Sequence, residues 1–315
     1  MNNVLVTGSL GFVGQWLVKK LLEEGNRVVA VMHENDVFLH NWDYKDVIIE
    51  KGNIRDFNFV RDLFINYNPD IVFHLAAQAL VEEALEFPLE TIKTNALGTA
   101  IVLECARVYG NVDRIVVASS DKAYGNEESP YDENTALNGR FPYDCSKSCT
   151  DLIAQSYRDT YNLPISILRC GNIFGGGDLN WSRVFPESIK SCYEKRPMII
   201  RSDGKSMLRD YIYVEDVISA YIFISKLDHN EIVNVSYEKP RSVLDILENI
   251  QDITNVNIEP EIKNTAKCEI DIQFLDSNHI HSLGWKPDYD FYLGVEKTVK
   301  WYYDYFDKEN NIEKH

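Results

Sequence analysis

Five side chains able to do chemistry stand between positions 115 and 147. The run RIVVASSDKAYG opens on an apolar stretch, 115–118, which reads as a buried strand. It delivers Ser119, Ser120, Asp121 and Lys122 to its C-terminal end. A polar loop follows, then PYDCSK, where Tyr143 and Lys147 stand four apart at the start of an amphipathic segment. On a helix that spacing puts both side chains on one face. A hydroxyl, a phenol, an ammonium and an acid–base pair therefore converge at the mouth of one sheet. Such a set can take the proton of an alcohol and move a second proton elsewhere on the same molecule.

The elements that must position these groups begin at the N-terminus. A short apolar strand, 4–7, runs into GSLGFVG and an apolar-periodic helix carrying Trp16, Leu17, Leu21 and Leu22. Gly8, Gly11 and Gly14 recur at every third position, with Phe12 and Val13 between the last two. Glycine lets a backbone turn tightly against a pyrophosphate, and a helix N-terminus offers unpaired N–H groups and a positive dipole. Strand before and helix after is the context that a dinucleotide site requires. The second strand, 27–32, leads to His33 and Glu34. Glu34 is placed to hold ribose hydroxyls, and no arginine sits there to welcome a 2′-phosphate, so NAD is favoured over NADP.

Further strands follow at 47–50 and 70–75. After the first, Asn53 and Ile54 flank the adenine or form a plain strand-to-helix turn. The second ends in HLAAQ, where Leu75 and the small Ala76 and Ala77 allow close approach of a cofactor. Gln78 is a candidate substrate contact, and His74 reads as a hydrogen-bonded structural histidine. A helix over 91–103 holds Asn95 among apolar neighbours. A buried asparagine needs partners, so Asn95 is expected to brace the active-site backbone; Asn95, Ser119, Tyr143 and Lys147 are also candidate cofactor contacts.

A sixth strand, 165–168, ends in RCGNIFGGGD, after which WSRVFPESIK and a helix at 189–193 break the alternation. RDYIYVEDV, an apolar helix at 217–224 and a seventh strand at 232–235 restore it; two amphipathic helices and an aromatic tail close the chain. The expected fold class is α/β: a Rossmann doubly wound parallel sheet of about seven strands with a smaller C-terminal substrate lobe. The expected division is 1–171 plus 207–237 for the NAD-binding domain and 172–206 plus 238–315 for the lobe.

Composition narrows the function classes. The 315 residues are 45% hydrophobic and 26% charged, ordinary for a globular protein. A formal net charge of -17 argues against nucleic acid or an anionic membrane as partner. No apolar run approaches the ~20 residues of a spanning helix, and the chain enters a strand with no leader pattern, so a cytoplasmic protein is expected. The six cysteines (105, 145, 149, 170, 192 and 268) show no metal-site spacing; a reduced set and no metal are expected.

Taken in order, the glycine turn, HLAAQ, Asn95, SSDKAYG, YDCSK and GNIFGGGD resemble the extended short-chain dehydrogenase/reductase superfamily, in its nucleotide-sugar dehydratase and epimerase branch. The resemblance extends to RDYIYVEDV and LGW. It implies that Ser120, Tyr143 and Lys147 form the Ser/Tyr/Lys set and that Asp121-Lys122 occupies the acid–base dipeptide, which is Asp-Glu in dTDP-glucose dehydratases. The Asp-Lys pair and GNIFGGGDLNWSR are similar to CDP-glucose 4,6-dehydratases and to the UDP-N-acetylglucosamine 5,6-dehydratase of the tunicamycin pathway. Glu82-Glu83 stand where CDP-glucose enzymes tend to carry basic residues.

The implied activity is NAD-dependent water removal from a CDP- or UDP-linked sugar. Oxidation at C4 acidifies C5–H; elimination across C5 and C6 follows, and the hydride returns. Tyr143 takes the C4 hydroxyl proton, helped by Lys147 because opposite charge favours the phenolate. Ser120 orients the C4 oxygen. Lys122 is the candidate base at C5, once burial and nearby positive charge favour its neutral form, and a protonated Asp121 the acid at the C6 oxygen. The plain alternative for this pair is a structural salt bridge. Asn172 and Arg209, then Arg183 and Arg201, are the candidates for the diphosphate, since arginine suits bidentate phosphate recognition. Trp181 or Tyr193 covers the base or sugar, or packs in the core. A homodimer through helices near 97–108 and 148–157 is expected from the resemblance alone. The competing functions are a nucleotide-sugar 4-epimerase or reductase, which has no need of Asp121 and Lys122, and a non-catalytic NAD(P)-sensing protein.

Overall fold

The computed structural model describes residues 1–33, 45–265 and 270–312, with side chains to residue 310. From the N-terminus, β1 (Asn3–Thr7), α1 (Phe12–Glu23), β2 (Arg27–Met32), β3 (Ile48–Lys51), α2 (Phe57–Tyr67) and β4 (Ile71–His74) alternate. Short helices α3 (Val81–Glu86) and α4 (Pro88–Ile92) lead through a π-helical turn, Lys93–Leu97, into α5 (Gly98–Tyr109). Then come β5 (Arg114–Ala118), a 3-10 turn at Asp121–Tyr124, the long α6 (Pro142–Tyr161) and β6 (Ile165–Cys170).

The chain continues through β7 (Asn172–Phe174), α7 (Val184–Glu194), β8 (Ile199–Ile200), β9 (Leu208–Arg209), β10 (Tyr211–Tyr213), α8 (Val214–Ser225) and β11 (Ile232–Val235). It finishes with α9 (Val243–Thr254), β12 (Glu261–Ile262), β13 (Ile272–Gln273), α10 (Asn278–Ser282) and α11 (Phe291–Ile312).

Seven strands form one sheet in the order β11-β6-β5-β4-β1-β2-β3. The pairings from β6 through to β3 are all parallel. The order doubles back between β1 and β4, the switch point beside which open α/β sheets bind ligands. The expected doubly wound sheet is present, because apolar strands such as VLV and IVVA must be covered on both faces. Val60, Leu63 and Phe64 of α2 and Val102, Leu103 and Ala106 of α5 supply one such cover over Leu5, Val72 and Ile115. Asp56 caps α2 through the N–H groups of Asn58 and Phe59, and Asn68 ends it in the left-handed conformation.

Two compact units emerge, Met1–Cys170 with Ile218–Asn234, and Gly171–Val217 with Val235–His315. Residues 171, 207–217 and 235–237, expected with the first, fall in the second. The cause lies in contacts distant along the chain: β10 pairs with β7, and Asp216 at the start of α8 accepts from the backbone N–H of Asp288 and Tyr289 and from the Tyr237 hydroxyl. The second unit is built on aromatics. Phe174 stacks on Phe185 at 4.2 Å, with Tyr213 and Phe291 at 5.7 and 5.5 Å.

Candidate active site

Backbone geometry at the C-terminal end of β5 sets the candidate reacting groups. Ser119 and Ser120 leave the strand, and Ser120 caps the 3-10 turn that follows, accepting from the Lys122 N–H at 3.2 Å. The Ser120 hydroxyl donates to Asp121 Oδ1 at 2.9 Å. Lys122 Nζ lies 3.2 Å from Asp121 Oδ2. The Asp121 side chain is 2% exposed and that of Lys122 16%, so the pair is screened from water on all but one side.

Helix α6 meets this turn with its N-terminal half. Pro142 starts it, where a missing N–H costs nothing. Tyr143, Lys147 and Asp151 then follow at four-residue intervals, and all three are buried. Lys147 Nζ donates to the Ala118 carbonyl at 3.0 Å, and Ser148 Oγ to that of Ala123 at 2.7 Å. These two bonds bracket residues 119–122 and bring them up against Tyr143 and Lys147. Burial lowers the Lys147 ammonium to a pKa of about 8, against the opposing influence of Cys170 and Asp151.

The π-helical turn carries Asn95, which is 1% exposed. Its side chain accepts from the Gln78 N–H at 2.7 Å and donates to the Gln78 carbonyl at 2.9 Å and to Ser146 Oγ at 2.8 Å. Ser146 in turn donates to the Tyr143 carbonyl. His74 is enclosed nearby, between the hydroxyls of Thr7 at 2.8 Å and Thr99 at 2.9 Å. Burial, then the Lys147 charge, pushes its pKa down to about 3, which makes it a neutral structural residue.

At the other strand ends the structure has the shape a dinucleotide needs. Gly8 has φ 68°, and a Cβ on it would lie 2.7 Å from the Ala76 nitrogen. A Cβ on Gly14 would meet the Gly8 carbonyl oxygen at 2.1 Å. Gly11 caps α1 without a side-chain bond, so the first turn, Phe12 to Gly14, presents its N–H groups as helix geometry leaves them. Leu75 and Ala76 line up against Thr7 through their own N–H groups.

Other expected cofactor residues follow the ends of β2 and β3. Ile54 is buried against Gly98, and the Asn53 side chain accepts from the N–H and Nε of Arg55, closing a strand-to-helix turn. His33 is exposed at the end of β2, and Glu34 lies outside the described residues.

In the second unit Asn172 sits in β7, its N–H bonded to the Asp210 carbonyl. Arg183 pairs with the buried Asp178 at 2.9 Å, and Arg201 donates to the Ser182 carbonyl. Arg209 reaches the carbonyls of Leu208 and Asp271. Trp181 and Tyr193 are packing residues: both lie on Phe306 of α11, at 5.7 and 4.7 Å.

Sequence reasoning missed what stands behind the catalytic turn. Asp151 and Arg169 form a fully buried ion pair, bonded also to Ser119 and Tyr124. The signal was an arginine inside the apolar strand ISILRC, which has to find a carboxylate.

Comparison with known proteins supplies the family. The NAD dependent epimerase/dehydratase family matches residues 4–236. The chain belongs to that family. It is thus an NAD-dependent enzyme among nucleotide-sugar dehydratases and epimerases. The CDP-glucose 4,6-dehydratase of Salmonella typhimurium is 33% identical over 243 residues, 72% of this chain and 67% of that protein. The human dTDP-D-glucose 4,6-dehydratase is 28% identical over 99% of this chain and 93% of its own. The structure of a Thermotoga maritima UDP-glucose 4-epimerase with UDP-glucose superimposes with a TM-score of 0.91 at 27% identity, covering 96% of this chain and 99% of that one.

Proposed function

We propose that this family member is a nucleotide-sugar dehydratase, acting on a CDP- or UDP-linked hexose by oxidation at C4, loss of water across C5 and C6, and return of the hydride. The observation that carries this reading is the Asp121–Lys122 pair, enclosed and bonded to Ser120 at the end of β5. An epimerase needs one base at C4; a dehydratase needs a second base and an acid, and this pair supplies both.

Bound NAD would supply the hydride acceptor and later the hydride donor; Gly8, Gly11, Phe12, Val13 and Gly14 would hold its pyrophosphate, and Leu75, Ala76, Ala77, Asn95 and Ser119 would contact it. Tyr143 takes the proton from the C4 hydroxyl, while Lys147 holds positive charge beside it and Ser120 hydrogen-bonds the C4 oxygen. The ketone makes C5–H acidic. Lys122 Nζ then removes that proton, and the Asp121 carboxyl gives one to the C6 oxygen, which leaves as water. The step consumes an amine and a carboxylic acid and leaves an ammonium and a carboxylate, the charges of the ion pair at this position. Where the hydride returns to C6, Lys122 gives a solvent-exchanged proton back to C5, and the proton taken by Tyr143 passes through solvent to Asp121; where it returns to C4, Tyr143 gives its proton back to the C4 oxygen and one proton moves from Lys122 to Asp121. Gln78 on the sugar, and Asn172, Arg183, Arg201 and Arg209 on the diphosphate, complete the assignment.

The 4-epimerase reading is kept open by the likeness to the Thermotoga enzyme. Incubation with CDP-glucose, UDP-glucose and UDP-N-acetylglucosamine in heavy water, followed by product mass, separates the two. Loss of one water identifies the dehydratase and its nucleotide. Deuterium at C5 marks a 4-keto-6-deoxy product, and a vinyl signal without it a 5,6-ene. Inversion at C4 with no water lost establishes the epimerase and leaves Asp121–Lys122 a structural pair.

We also infer a homodimer packed through α5 and α6, supported by the exposed apolar side chains of Leu97, Val108, Leu152 and Tyr161, and testable by sedimentation. A cytoplasmic location agrees with the free state of the five cysteines among the described residues and with the lack, among the same residues, of any helix long and apolar enough to cross a membrane.

A further inference from the structure

The reacting residues Ser120, Asp121 and Lys122 occupy a stretch of chain that is gripped at both ends by one buried ion pair. At the near end the Ser119 hydroxyl donates to Asp151 Oδ2 at 2.6 Å. At the far end Arg169 Nη1 donates to the Tyr124 hydroxyl at 2.9 Å, with the guanidinium 5.0 Å from the centre of that ring. The two grips are joined, because Arg169 Nε and Nη2 hold Asp151 Oδ2 and Oδ1 at 2.8 and 2.9 Å.

The anchorage is complete on its outer side too. Gln155 donates to Asp151 Oδ1, Arg169 also donates to the Glu133 carbonyl, and Tyr124 donates to Asn234 Oδ1 at 2.7 Å. Asn234 then donates to the Tyr131 carbonyl. Asp151, Arg169 and Tyr124 are each 2% exposed or less. A bidentate arginine–carboxylate pair has one geometry, unlike a lysine that swivels. Asp151 also lies two turns along α6 from Tyr143 and one from Lys147. One pair is therefore tied to both halves of the site.

We propose that Asp151 and Arg169 are positioning residues for the reaction: they hold the Ser120–Lys122 stretch in register with Tyr143 and Lys147, and the Tyr124 grip specifically places the acid–base pair used in elimination. The second part rests on the dehydratase reading. Cost alone argues that so much buried polarity has a task, since an apolar cluster of this volume holds a sheet to a helix at least as well.

Removing either charge outright strands the other in the core, so the test uses milder changes. Tyr124→Phe deletes one hydroxyl and keeps the ring. Arg169→Lys keeps the charge beside Asp151 but cannot span both partners. The rate of C4 oxidation, read as NADH appearing in a single turnover, and the rate of water loss, read by product mass, are measured with whichever of CDP-glucose, UDP-glucose or UDP-N-acetylglucosamine the parent enzyme uses. Tyr124→Phe is expected to slow water loss about tenfold to a hundredfold, the scale of a misplacement of up to an ångström, with C4 oxidation and KM within about twofold of the parent by the same reasoning. Arg169→Lys slows both steps. The double variant is no slower than Arg169→Lys, because the two changes cut the same link.

A merely structural role predicts lower thermal stability with the ratio of the two rates unchanged in Tyr124→Phe; that result, or additivity in the double variant, overturns the proposal. If the parent loses water from none of the three sugars, the dehydratase reading falls by itself. Crystal structures of the two variants then decide the positioning: residues 120–122 displaced relative to Tyr143 support it, and superimposable stretches overturn it.

Discussion

Asp121 and Lys122 are joined twice, along the chain and through space, with Nζ 3.2 Å from Oδ2. A strand would send neighbouring side chains to opposite faces; the 3-10 turn that begins at Asp121 folds them onto each other instead. The Ser120 hydroxyl occupies the other carboxylate oxygen. The carboxylate is thus held by both partners, Ser120 on one oxygen and Lys122 on the other.

Replacing either member of the pair should separate elimination from oxidation. Asp121→Asn and Lys122→Met are expected to lower the rate of water loss by roughly 10²–10⁴, the usual range for a general acid or base. Reduction of NAD by the C4 alcohol continues in both, so NADH accumulates with substrate, as followed by its absorbance. Water loss at the parent rate in either variant would remove the dehydratase mechanism.

The alkaline side of the pH profile should belong to Lys147. Its pKa of about 8 lies below that of a free lysine, so the ammonium that favours the Tyr143 phenolate is lost as pH rises through that value. We expect kcat/KM to fall there, and Lys147→Arg to move the fall upward while keeping some activity. Stability runs the other way: the unfolded chain holds this proton up to ~10.4, so between about 8 and that value the unfolded state binds more protons and the fold gains stability with pH.

His74 should make the fold sensitive to acid. The native imidazole stays neutral down to about pH 3, whereas the unfolded one takes a proton near 6.5. Between those values the unfolded state binds more protons, so stability falls as pH falls, at up to roughly 1.4 kcal/mol per pH unit from this group. His74→Gln, which can still bond to one of the two threonine hydroxyls, is expected to flatten that limb in urea melts taken from pH 7 to pH 4.

The glycine turn should tolerate no side chain. Gly14→Ala places a methyl 2.1 Å from the Gly8 carbonyl oxygen, a backbone atom with nowhere to retreat. The expected result is loss of at least ~90% of NAD affinity by fluorescence titration, since a tenfold loss needs only ~1.4 kcal/mol. Gly25→Ala, where nothing lies within 4 Å of the added carbon but φ is 77°, should cost some stability and leave NAD binding intact.

The sequence by itself determined the sheet, its order of alternation and the closeness of Ser120, Asp121 and Lys122 on one turn and of Tyr143 and Lys147 on one helix face, because these depend on short-range patterns. Apolar runs such as VLVT and IVVA have one way to be buried, and Tyr143 and Lys147 share a face by helical periodicity alone. Glycines three apart after a strand have few other uses. What only the tertiary structure decided depends on partners distant along the chain. Asp151 finds Arg169 across 18 positions, and His74 is closed between Thr7 and Thr99, 67 and 25 positions away. The same holds for the assignment of 207–217 to the second unit, set by Asp216 reaching Asp288, and for Trp181 and Tyr193, whose apolar faces are taken up by Phe306. An aromatic or a buried charge announces that it needs a partner; which partner it gets is fixed by where the backbone passes, and no local pattern carries that.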